Sequence, residues 1–93
     1  MITNELASVT VLISSGSGAS TINQIVPFRV YRESEKYKAI PLIEEEERKK
    51  ADLPSEFFFE FINHTIIPAK GTKEHNLDAI RNIVQELKMQ EII

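Results

Sequence analysis

Ninety-three residues, 42% of them apolar and 27% charged, suffice for one domain with a single modest core. The net charge of -3 argues against broad, sequence-independent binding to nucleic acid, which needs a basic surface, and the lack of cysteine excludes disulfides, thiolate metal sites and cysteine nucleophiles. The chain must stand on packing alone, which fits a reducing, cytoplasmic setting; its start lacks the pattern of a secretory signal, and its apolar runs fall far short of the roughly 20 residues of a membrane helix.

In chain order, Ser8 to Ser14 alternates Val9, Val11 and Ile13 with Ser8, Thr10 and Leu12, the period of a strand. Small polar residues follow, from Ser14 to Ser20, and predict a loop. Ile22 to Tyr31 is a second strand, with Ile22, Val26, Phe28 and Val30 on one parity. Pro27 lacks a ladder donor, so this strand is expected at a sheet edge or beside a bulge. Arg32 to Lys36 is a charged turn, and Tyr37 to Ile43 a third strand, antiparallel to the second.

Glu44 to Ala51 predicts a short helix, because four glutamates precede Arg48, Lys49 and Lys50 in the order that suits the helix dipole. Asp52-Leu53-Pro54 ends it, with Leu53 as a core anchor. The run Tyr37 to Leu42, the Glu-rich turn and Ala51 to Pro54 read together as a strand–helix–strand unit, to which no function attaches.

Glu56 to Ile67 is the centre of the chain, with four of its five phenylalanines at Phe57, Phe58, Phe59 and Phe61. Aromatic side chains fit a pleated, half-buried surface, so a strand is predicted. Phe57, Phe59 and Phe61 then share a core face, and Glu56, Phe58, Glu60 and Ile62 the other. Asn63-His64 reads as a two-residue hairpin turn, with Thr65 to Ile67 returning and Pro68 at an edge. Leu77, Ile80, Ile83, Val84 and Leu87 recur at helical spacing and predict a long C-terminal helix, capped by Thr72 or Asn76.

These elements make a single α+β domain over residues 1–93. Its antiparallel sheet of four to five strands carries one long C-terminal helix on one face and a short helix between strands 3 and 4. One helix covers one face. The other is expected to carry Leu12, Arg29, Tyr31, Tyr37, Phe58, Glu60 and Ile62, too apolar a set for water alone.

Patterns that could carry chemistry are weak. Gly16-Ser17-Gly18 resembles part of a phosphate loop, but a strand follows it and not a helix. Gly71-Thr72-Lys73 does precede a helix, where an anion could meet free N–H groups; a plain helix start is the simpler reading. His64, His75 and Asp78 could supply metal ligands, though nothing in their spacing makes them meet. The four glutamates read as a solvated first turn, and no serine has a positional case as a nucleophile.

The expectation is therefore a non-enzymatic interaction or regulatory module without metal or cofactor. It binds a protein partner, or a second copy of itself as a homodimer, through Arg29, Tyr31, Tyr37 and Phe58. The alternative is a nucleic-acid accessory protein that uses the basic-aromatic hairpin at residues 29–38, where Arg29, Arg32, Lys36 and Lys38 interleave with Tyr31 and Tyr37.

Overall fold

The computed structural model describes residues 4–15 and 22–93. Its elements are β1 (Glu5–Ser15), β2 (Ile22–Glu33), β3 (Lys36–Pro41), α1 (Glu45–Lys50), β4 (Phe57–Ile62), β5 (Thr65–Pro68) and α2 (Glu74–Met89). The strands form one antiparallel sheet in the order β1-β2-β3-β4-β5. This is the expected α+β arrangement, with the short helix between β3 and β4 and the long one at the C-terminus. No described helix is long and apolar enough to cross a membrane. The Gly16-Ser17-Gly18 loop lies outside the described residues.

Strand pairing follows turn chemistry. Glu33 faces Lys36 and Ile62 faces Thr65, so both connections are two-residue turns. Asn63 and His64 both have positive φ, 50° and 62°, the turn whose twist matches that of the flanking strands. In the other turn Ser34 takes φ 57°.

The core lies between the sheet and α2. Val9, Val11, Ile13, Val26, Phe28, Val30, Ala39, Phe57 and Phe59 pack there against Ala79, Ile80, Ile83, Val84 and Leu87. The odd-numbered phenylalanines face the helix as predicted; Phe57 meets Phe28 edge-on at 5.5 Å, and Phe61 is only half-buried at the margin. Ala51 and Leu53, just beyond α1, are also buried. Residues Asp52 and Glu91 adopt left-handed φ, 54° and 58°, and the helix-ending bonds Leu53 N–H to Arg48 O and Ile92 N–H to Leu87 O close both helices with the same motif.

Three expectations need correction. Pro27 is neither on an edge strand nor beside a bulge: β2 is flanked by β1 and β3, and the register shift falls between Glu5 and Ala7. The ladder tolerates it because Pro27 O, which accepts Leu42 N–H at 2.8 Å, points toward β3. Its nitrogen points the same way, toward Leu42, one residue past the end of β3, so the missing donor costs no bond within β3 itself.

Neither Thr72 nor Asn76 caps α2. Lys73 is the N-cap and makes no side-chain cap bond. Thr72 Oγ1 instead donates to Ala69 O at 2.6 Å. Asn76 has turned into the core, while Leu77 is only half-buried.

The third correction concerns Tyr37. It was expected on the uncovered face and is instead buried on the helix side, 3% exposed, stacked on Phe59 with ring centroids 5.2 Å apart. The cause is register. The two-residue turn sets Tyr37 opposite Arg32, which shares its parity with Phe28 and Val30. A strand shifted by one residue against its partner exchanges its two faces.

Candidate partner-binding face

The face away from α2 is built by alternation. Where Val9, Val11, Val26, Phe28, Ala39, Phe57 and Phe59 point to the helix, their sequence neighbours must point away. Across the ladder this places Leu12 beside Ile25, Thr10 beside Pro27, and Ser8 beside Arg29 and Ile40. The next rows run Tyr31–Lys38–Phe58 and Lys36–Glu60–Ile67. Leu42 continues the parity of β3 just past its end.

Six large apolar side chains are exposed among the described residues, and five share this face: Leu12, Ile25, Leu42, Phe58 and Ile67. Ile25 is 69% exposed and Phe58 46%. Only Met89, near the end of α2, lies elsewhere. Isolated exposed apolar residues need no explanation, but five on one face of a sheet do. Phe58 and Ile67, with Lys36 and Glu60, border a shallow hollow of about 280 Å3.

Charged groups are interleaved with these residues and largely paired. Arg29 Nε lies 3.2 Å from Glu5 Oε1, an exposed bridge whose energetic weight is small. Lys38 Nζ sits 4.9 Å from the centre of the Tyr31 ring, a cation–π contact. Lys36 faces Glu60 across the β3–β4 ladder. Cations and anions thus alternate over an apolar ground.

Of the four expected partner-binding residues, the fold brings Arg29, Tyr31 and Phe58 onto one face and takes Tyr37 away. The hairpin at 29–38 is divided in the same way: Lys38 and Tyr31 lie on the open face, while Arg32 reaches over buried Tyr37, 5.8 Å from its ring centre. Ile25, Leu42 and Ile67 were not anticipated. Strand alternation was the available signal for each: Ile25 follows the parity opposite to buried Val26, Leu42 that opposite to buried Pro41, and Ile67 that opposite to Ile66, which packs against the core.

The histidines and Asp78 are not brought together. His64 packs edge-on against Phe61, His75 Nε2 lies 3.3 Å from Asp52 Oδ2, and Asp78 accepts from Arg81 at 2.7 Å. Among the described residues no three His, Asp or Glu are grouped so as to hold a metal ion.

The chain matches no protein-family model, no curated protein and no solved structure.

Proposed function

We propose that the chain is a non-catalytic protein-interaction or regulatory module that self-associates through the open face of its sheet, with Arg29, Tyr31 and Phe58 as anchors. The observation that supports this reading is the gathering of Leu12, Ile25, Leu42, Phe58 and Ile67 on a face that no described helix covers. Tyr and Phe supply buried contact area at interfaces, and Arg supplies oriented charge. A face bearing both Arg29, Lys36 and Lys38 and Glu5 and Glu60 can meet a rotated copy of itself without net repulsion, which favours a two-fold homodimer over a strongly charged partner. The absence of cysteine suits a cytoplasmic setting.

The test is solution mass by light scattering over a concentration series. The expected result is a dimer that Phe58→Glu converts to monomer while the far-UV spectrum is kept, because a carboxylate would be buried without a partner. A wild-type chain that stays monomeric at high concentration overturns the self-association reading. The second reading, single-stranded nucleic acid on the hairpin at 29–38, draws on the Lys38–Tyr31 contact alone. It calls for binding that weakens steeply with salt.

A further inference from the structure

The two edges of the sheet are built differently. β5 is four residues long and ends in Pro68, the short, donor-poor kind of edge that resists pairing. β1 is eleven residues long, and from Leu6 to Ser15 it carries neither charge nor proline. Pro27 fixes which of its groups face outward. The backbone of Pro27 points to β3, where its O accepts Leu42 N–H, so Thr10, directly opposite, points its N–H and C=O away from β2. The register runs unbroken from Ala7 to Ser15, so Ser8, Leu12 and Ser14 point the same way. In keeping with this, Leu12 O accepts from Asn82 Nδ2 of α2 at 3.0 Å. Among the described residues, no other hydrogen bond meets these outward backbone groups.

A groove of about 520 Å3 runs along this edge, between residues 10–14 and the outer side of α2. Thr10, Leu12 and Ser14 on the strand and Asp78, Asn82 and Gln85 on the helix are all exposed to it. Free N–H and C=O groups that repeat every second residue are matched along their length by another extended chain. Symmetry disfavours a second β1 as that chain. Two antiparallel β1 strands would be related by a two-fold axis normal to the sheet, which puts both α2 helices on the same side of the seam. Each α2 already reaches its own edge strand through Asn82, so the two helices would collide there. A single strand meets no such obstacle. Charge narrows its chemistry: Asp78 is bridged to Arg81 at 2.7 Å and His75 leans on Asp52, whereas Glu86, one turn on from Asn82, makes no ion pair among the described residues.

We propose that the β1 edge takes up an extended peptide as a sixth, antiparallel strand, apolar on the side of the open face and basic on the side toward α2. Peptide residues opposite Thr10 and Leu12 exchange hydrogen bonds with them and lie beside Leu12 on the open face. Leu12 O has a second lone pair for this bond. The alternate residues point toward α2, where a lysine or arginine meets Glu86. The site does not depend on the self-association proposed above.

The probe is the acetylated, amidated peptide Val-Lys-Val-Lys-Val, titrated into the isotope-labelled protein and followed by amide NMR. The expected result is saturable shifts and slowed hydrogen exchange at the Thr10 and Leu12 amides. N-methylation of the central valine removes a donor aimed at β1 and should weaken binding at least about tenfold, whereas N-methylation of a lysine, whose N–H points away from β1, should change it less than about threefold. Glu86→Gln should weaken binding about threefold and flatten its salt dependence. Thr10→Pro removes an outward donor while leaving the β1–β2 ladder intact, and should abolish the shifts with the far-UV spectrum kept. If that variant does not fold, the two N-methylated peptides decide alone. Equal effects of the two N-methylations, unchanged affinity in Glu86→Gln, or unshifted Thr10 and Leu12 amides would overturn the proposal. So would protection of those amides in the free protein that grows with its concentration, since a second copy would then fill the edge.

Discussion

Phe58 and Phe59 are neighbours in sequence with opposite surroundings, and truncating each in turn tests the sheet's two-faced design. Phe59 is 3% exposed and stacks on Tyr37 with an angle of 4° between the rings. Full burial of a phenylalanine is worth about 1.5–3 kcal/mol in transfer alone, and the cavity left by Phe59→Ala raises the loss to about 4 kcal/mol. Phe58 is 46% exposed, so Phe58→Ala forfeits roughly half the transfer term and opens no closed cavity, about 1 kcal/mol. With a urea slope of about 1–1.5 kcal/mol/M for a domain of this size, the midpoint should fall by about 3 M for Phe59→Ala and by less than about 1 M for Phe58→Ala. Far-UV circular dichroism at low protein concentration reads both. If Phe59→Ala leaves too little folded protein, Phe59→Leu should still lose more than Phe58→Leu. Equal losses at the two positions would refute the assigned faces. A Phe58 loss that grows with protein concentration would be the mark of a dimer linked to folding.

Two further substitutions probe backbone conformation. His64→Gly relieves a left-handed residue in the β4–β5 turn and should raise stability by about 0.5–1 kcal/mol, seen as a thermal midpoint higher by a few degrees; a lower midpoint would mean that the ring contact with Phe61 outweighs the turn. Asp52 combines a left-handed φ with its bridge to Lys73, so Asp52→Gly exchanges a small ion-pair loss for conformational relief and should fall within about 0.5 kcal/mol of the parent, whereas Asp52→Ala loses the pair and keeps the strain, costing about 1 kcal/mol by chemical denaturation.

Local pattern carried much of this protein. The alternation in β1, the phenylalanine strand, the Asn63-His64 turn and the spacing of Ile80, Ile83, Val84 and Leu87 each report a period or a dihedral preference that neighbouring residues alone express. The α+β layering follows from them, since one amphipathic helix can cover only one side of a sheet. Arg29, Tyr31 and Phe58 could be assigned to the uncovered side on the same grounds.

Tyr37, Pro27 and Asn76 could not be placed in this way. The side to which Tyr37 points depends on whether the β2–β3 connection holds two residues or five, a difference of register that the charged run Arg32 to Lys36 leaves open. Pro27 is tolerated inside the sheet because a neighbouring strand happens to stop opposite it, which is a fact about another segment. Asn76 is buried because the α1–β4 connection brings Leu53 and Phe57 beside the first turn of α2, and no pattern within the helix announces that. Periodicity and turn preference act over a few residues and are written where they act. Register, strand order and the burial of a lone polar group arise between segments far apart in the chain, and they exist only once the chain has packed.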